Sequence, residues 1–217
     1  MPNPVIAAPA DTATSSKNNI TLALVGAPNC GKTALFNVLT GSKAKVANYS
    51  GVTVDKRSAP FIHDDTVKIL DLPGTYGLAT TSPDEEVTRK VLMGEMLNEP
   101  VPDGIIVVAD ATNLRMSLRM ILELKSLGLP MMVALNLNDV AVSRGMDVDE
   151  VALSKEIGLP VVKTVAIKRN GNKQLLSLIT EFSASHKGQT RPVRFWQPAP
   201  DSQQLYQQAD DIISRTV

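Results

Sequence analysis

Short runs of β-branched and aliphatic residues alternate along the chain with stretches whose apolar positions repeat every three or four residues. That alternation marks strands joined by crossover helices in a mostly parallel sheet. The apolar runs place strands at 20–26, 57–63, 66–71, 103–109, 130–135 and 160–164. Only Asp64 and Asp65 part the second strand from the third, too little chain for a crossover, so these two form an antiparallel hairpin. Helices fall at 31–41, 84–97, 114–127, 147–157 and 172–183, and Leu118, Ile121, Leu122 and Lys125 show the period. The expected fold is α/β: a mostly parallel six-stranded sheet with one antiparallel edge hairpin strand and helices on both faces.

This core spans residues 20–183. Residues 1–19 are rich in Ala, Pro, Ser, Thr and Asn, with neither a charged start nor an apolar centre, and read as a disordered tail rather than a signal peptide. Residues 184–217 read as a linker and a reduced or truncated helical segment. Pro192, Pro198 and Pro200 break the periodicity between Gly188 and Pro200, and Asp201 then caps a last helix. Its stripe of Leu205, Ala209, Ile212 and Ile213 has little chain left to pack on. The absence of a capping glycine before Val217 leads us to expect that a larger protein continues beyond it.

Composition narrows the picture. A chain of 217 residues holds one α/β domain and a small appendage. Twenty-two Lys and Arg balance 22 Asp and Glu, which removes any global electrostatic case for nucleic acid or a membrane surface. The single Cys30 excludes an internal disulfide framework. No apolar run approaches the ~20 residues a membrane span needs, so the chain as given reads as soluble.

Four segments carry chemistry. Gly26-Ala27-Pro28-Asn29-Cys30-Gly31-Lys32-Thr33 follows a strand and opens a helix, the setting of a phosphate-binding P-loop. Its backbone N–H groups and the helix N-terminus face phosphate oxygens, Lys32 adds a mobile positive charge, and the Thr33 hydroxyl suits Mg²⁺. Asp71-Leu72-Pro73-Gly74 ends a strand, where the carboxylate can hold Mg²⁺ and the Gly74 N–H can approach a γ-phosphate. Asn48-Tyr49-Ser50-Gly51-Val52-Thr53-Val54 is a polar loop whose Thr53 hydroxyl can complete the Mg²⁺ shell while that phosphate is present. Tyr49 beside it can shield the nucleotide or simply pack. In Asn136-Leu137-Asn138-Asp139, the Asp139 carboxylate can accept two N–H donors from guanine, and Asn136 braces the loop.

Together with Asp71-Leu72-Pro73-Gly74-Thr75-Tyr76, Ser82-Pro83-Asp84-Glu85 and Asp110-Ala111-Thr112-Asn113-Leu114, these segments resemble the N-terminal cytoplasmic GTPase domains of the FeoB family of bacterial ferrous-iron transport proteins, over about residues 20–183. The resemblance implies a P-loop GTPase fold that binds GTP and GDP and hydrolyses GTP. Switch I would be 48–53 and switch II 71–76. It also implies the cytoplasmic domain of an inner-membrane protein, with the membrane-embedded iron-transport domain of the full-length protein as partner and oligomer formation possible through that protein. Where many GTPases carry a water-positioning Gln after Asp-x-x-Gly, this chain has Thr75. The family is understood to use switch-loop backbone and a bound K⁺ instead, and its K⁺ ligand falls on Asn29. Its base loop tends to hold a Ser-Ala pair; Thr164, Val165 and Ala166 stand here, leaving the Ala166 N–H for guanine and allowing relaxed nucleotide specificity. Leu137 can cover the base with its apolar stem. Two other readings stand beside this one: a regulatory nucleotide sensor with incidental slow hydrolysis, and a K⁺-dependent GTPase of RNA modification or ribosome assembly.

The remaining candidates have plainer readings. Pro28 and Cys30 are spacers. His63 and His186 lack partners at ligand spacing, so no iron site is assigned. Asp84, Glu85 and Glu86 suit a helix N-terminus. Trp196 is a packing anchor, and Lys168, Arg169 and Lys173 form a solvated edge.

Overall fold

A computed structural model describes residues 19–42, 44–79, 82–168, 170–188 and 200–217. Residues 1–18 of the expected tail, Arg169, Trp196 and most of the proline connector lie outside the described residues. The sheet runs in the order β2-β3-β4-β1-β5-β6-β7. Its parallel core is β1 (Ile20–Gly26), β4 (Asp64–Asp71), β5 (Gly104–Asp110), β6 (Met131–Asn136) and β7 (Val161–Lys163). The antiparallel edge is β3 (Asp55–Phe61) against β4, with β2 (Lys45–Asn48) outside it.

The sheet therefore has seven strands, one more than the six expected. All four residues of β2 are exposed, so no apolar alternation announces it. Its ladder to β3, pairing Lys45 with Ser58 and Asn48 with Asp55, is what makes it a strand.

Strands β1, β5 and β6 are apolar on both faces because both are covered. On β5, Ile105, Val107 and Ala109 enter one core while Ile106 and Val108 enter the other. The first core lies under α2 (Pro83–Met93), α3 (Leu114–Lys125), α5 (Glu150–Ile157) and α7 (Ser202–Thr216); the second lies under α1 (Lys32–Thr40) and α6 (Lys173–His186). A six-residue α4 (Asn138–Ser143), too short to show a period, went unexpected. Helix α2 stops at Met93 instead of residue 97 because Gly94 takes the left-handed conformation and returns its N–H to Lys90 and Val91.

The last helix does find a surface. Asp201 caps it through the Gln204 N–H, as the sequence indicates, and its Leu205, Ala209 and Ile212 are buried as it lies against α3 and α5. Arg115 closes on both carboxylate oxygens of Asp210 at 2.5 and 2.9 Å, and Arg215 reaches Glu156 at 2.9 Å. These pairs are open to water and contribute little beside the apolar stripe. In urea unfolding, Ile212→Ala should cost about 2–4 kcal/mol, whereas Arg115→Ala should leave the midpoint near wild type. The opposite ranking would show that charge, not packing, holds α7.

Candidate functional site

The P-loop, Asp71, Asn136 and the base loop all lie at the C-terminal ends of parallel strands, the edge of an open α/β sheet where ligands bind. Between β1 and α1 the backbone turns left-handed twice, at Asn29 (φ 65°) and Gly31 (φ 87°). Gly31 has no alternative: a Cβ there would stand 2.2 Å from the Asn136 Nδ2. At Gly26 a Cβ would meet the Cys30 Sγ at 2.7 Å and the Val108 carbonyl at 2.8 Å, so the curl closes on its own cysteine. Helix α1 begins with neither a capping side chain nor an acidic residue in its first turn, which leaves its N-terminal N–H groups for an anion. Burial pushes the Cys30 thiol up to about 11, so it stays neutral and serves as the spacer expected of it.

From α1, Lys32 reaches across to β4, and its Nζ lies 2.5 Å from the Asp71 Oδ1. The structure thus brings together the expected phosphate lysine and the expected metal carboxylate, each neutralising the other, while Thr33 and Asn29 remain exposed.

Switch II is built as an extension of the β1–β4 pairing. The Leu72 N–H donates to the Leu24 carbonyl (3.2 Å) and the Thr75 N–H to the Gly26 carbonyl (3.1 Å). Gly74 lies against Pro28; a Cβ there would stand 3.2 Å from the proline ring. Thr75 is fully buried and folded on itself, its hydroxyl donating to the Gly77 carbonyl (2.6 Å) and accepting the Gly77 N–H (3.2 Å). A side chain so placed cannot orient water.

The following turn is held by Thr88 and Arg119, which carried no expectation, and by Glu85, expected only to suit a helix N-terminus. Thr88 donates to the Pro73 carbonyl (2.9 Å), Arg119 to the Tyr76 carbonyl (2.8 Å), and Glu85 accepts the Tyr76 N–H (3.4 Å). Arg119 and Glu123 are buried and paired at 3.2 Å, so close beneath Gly77 that a Cβ would stand 2.1 Å from the Glu123 carboxylate. Their four-residue spacing on α3 reads as a solvated pair, and only the tertiary fold shows otherwise.

In switch I the side chains point elsewhere. Asn48 ends β2, and Ser50, Gly51, Val52 and Thr53 are exposed on a turn closed by the Tyr49 N–H on the Val54 carbonyl (3.0 Å). Thr53 thus stands in solvent, whereas Asp71 is buried at the end of β4. Tyr49 packs rather than shields: its ring is 1 % exposed, and its hydroxyl has no hydrogen-bond partner. Such a buried, unpaired group costs about 1–3 kcal/mol.

At the base end, the Asn136 Nδ2 donates to the Cys30 carbonyl (2.9 Å), while its Oδ1 accepts the Ala166 N–H (3.1 Å) and the Thr164 hydroxyl (3.3 Å). The Ala166 N–H, expected for guanine, is here given to Asn136. Leu137 is left-handed (φ 59°) and leads into α4. Both Asp139 oxygens are engaged, one by the Val140 N–H (3.1 Å) and the other by Lys168 (3.3 Å). Val165 needs no hydroxyl to brace its loop, because its N–H donates to the Gly171 carbonyl (3.1 Å) and the buried Asn172 amide lies 3.4–3.5 Å from the carbonyls of Val165, Ala166 and Lys168. Asn172 was not foreseen; one asparagine before a helix resembles any cap.

Residues 20–179 match the FeoB_N family, ferrous iron transport protein B. The chain is 40% identical over 176 residues to a Porphyromonas gingivalis Fe(2+) transport protein A/Fe(2+) transporter FeoB fusion protein, matching 81% of this chain and 20% of that one. With the Escherichia coli K12 Fe(2+) transporter FeoB it shares 38% identity over 167 residues, 76% of this chain and 22% of that one. It thus spans about a fifth of the length of the curated relatives it matches. Among solved structures, the cytosolic domain of the T. maritima FeoB iron transporter in its GMPPNP form superposes with a TM-score of 0.69 at 37% identity, covering 79% of this chain and 66% of that one. A mutant S. thermophilus NFeoB bound to GDP gives 0.66 at 36% identity, over 78% and 63%. The P-loop GTPase fold agrees with these likenesses, and the chain belongs to the FeoB_N family of ferrous iron transport protein B.

Proposed function

We propose that this chain binds GTP and GDP with Mg²⁺, hydrolyses GTP to GDP and phosphate, and serves as the cytoplasmic switch domain of a ferrous-iron membrane transporter. The observation that carries the reading is the Asn136 amide. It ties the phosphate loop at Cys30 to the base loop at Ala166, as a site for a whole guanine nucleotide requires. The likeness to GDP- and GMPPNP-bound FeoB structures supports it. No helix among the described residues is long and apolar enough to cross a membrane, so the transport path would belong to a partner domain.

With a nucleotide bound, Lys32 would exchange the Asp71 carboxylate for the β and γ phosphates, which would leave that carboxylate free to hold Mg²⁺. The Thr33 hydroxyl and the Asp71 carboxylate are hard oxygen donors that fit Mg²⁺, with Thr53 joining when switch I closes. The Asn29 amide oxygen is a neutral donor that fits K⁺ beside the phosphates. When bound, these cations oppose the charge that builds on the phosphate oxygens. Asp139 gives up Lys168 and takes two guanine N–H donors. With Thr75 closed on itself, backbone groups of the switch loops position the attacking water. That closure also favours a second reading: a nucleotide sensor with slow turnover whose bound state, rather than its rate, is the output.

GTP hydrolysis should run about tenfold or more faster in K⁺ than in Na⁺, and Asn29→Ala should erase the difference. Equal rates in wild type would remove the K⁺ assignment and leave the sensor reading. Asp139→Ala should weaken GTP binding about 10- to 100-fold with thermal stability unchanged. Asn136→Ala should weaken it as well, and in addition cost about 2–3 kcal/mol of folding stability. Nucleotide titration with calorimetric melting separates the two, and an Asn136→Ala variant of wild-type stability would break the brace.

A further inference from the structure

Among the described residues between Gly41 and Ser58, one side chain alone is buried, that of Tyr49. Lys45 to Asn48 before it and Ser50 to Thr53 after it are all exposed. The ring belongs to the first of the two cores, the one that also holds Leu70, Leu72, Val87 and Val91. Lys56, paired with Glu99, lies 5.9 Å from its centroid. The Tyr49 N–H closes the turn on Val54 at 3.0 Å, and its carbonyl accepts the Val52 N–H at 3.3 Å. Asn48 pairs with Asp55 in the ladder just behind. A loop of four residues closed this tightly has no slack. Thr53 therefore cannot travel inward unless the Tyr49–Val54 closure opens, and that closure is anchored by the seated ring.

We propose that Tyr49 is a positioning residue for switch I: its seated ring holds Thr53 out in solvent, and unseating it lets Thr53 reach the metal–phosphate end. This rests on the reading of Thr53 as a metal ligand given above. The hydroxyl sets the balance. Buried tyrosines ordinarily find a partner for the O–H, and this one has none, so the seat is weakened by the group that would be solvated on release. Docked and released positions are thereby close enough in free energy for a γ-phosphate to choose between them.

Tyr49→Phe keeps the ring and removes only the unpaired oxygen, so it tests the seat without emptying it. Without nucleotide, its melting midpoint should rise by about 2–6 °C. Its affinity for a non-hydrolysable GTP analogue with Mg²⁺ should fall about 3- to 10-fold relative to its affinity for GDP. In wild type, analogue binding should speed hydrogen exchange at the Tyr49 and Val52 amides, and less so in Tyr49→Phe. A raised midpoint with an unchanged ratio of analogue to GDP affinity would make Tyr49 a packing residue and overturn the proposal, as would exchange that does not respond to the analogue. Thr53→Ala examines the underlying reading separately. If it leaves the Mg²⁺-dependent analogue affinity intact, Thr53 is not a ligand and the proposal falls with it, whatever Tyr49→Phe does to the midpoint.

Discussion

One side-chain amide sets the dimensions of the site. Asn136 uses its nitrogen on the Cys30 carbonyl and its oxygen on the Ala166 N–H and the Thr164 hydroxyl, so segments far apart in sequence meet on a single small group. Its place at the end of β6 is fixed by the ladders to β5 and β7 on either side. Because the amide is planar and buried, the spacing between the phosphate cradle and the base loop cannot drift without breaking a hydrogen bond that no water replaces. The same crowding dictates Gly31, whose missing Cβ is the space the amide occupies.

Two ion pairs withdrawn from solvent serve the phosphate end, and they differ in what surrounds them. Lys32 and Asp71 each face the strand ends, so a phosphate and a metal can take over both halves of their interaction. Arg119 and Glu123 lie beneath switch II with the Tyr76 carbonyl as a further acceptor, and they hold a stretch of backbone that passes too close for any side chain at Gly77. One pair is exchangeable and the other fixes the ground on which exchange takes place.

What could be seen in the chain beforehand follows from how local each signal is. β1, β5 and β6 are apolar on both faces and declare themselves; the P-loop follows β1 and Asp139 follows β6 at short offsets, so their positions came with those strands, while Asp71 came with the end of β4. β2 escaped notice because an exposed edge strand owes its existence to a neighbour rather than to its own residues. Thr75 stood out as a departure, but that its hydroxyl turns back on Gly77 is a matter of three-dimensional closure. Asn172, Arg119 and Glu123 look like surface residues until the fold buries them, and Ala166 has its N–H claimed by a residue thirty positions away.

Helix α7 lies outside the stretch matched by the family, yet it is stitched to the domain at its far end. The Thr216 carbonyl accepts the Asp149 N–H at 2.8 Å at the start of α5, and Arg215 pairs with Glu156 on the same helix. A mechanical load applied at the C-terminal end of α7 therefore enters the domain through α5 and α3, the two helices against which its stripe of Leu205, Ala209 and Ile212 is buried. Through α3 that load also meets switch II, because Arg119 on α3 holds the Tyr76 carbonyl and lies over the Tyr206 ring of α7.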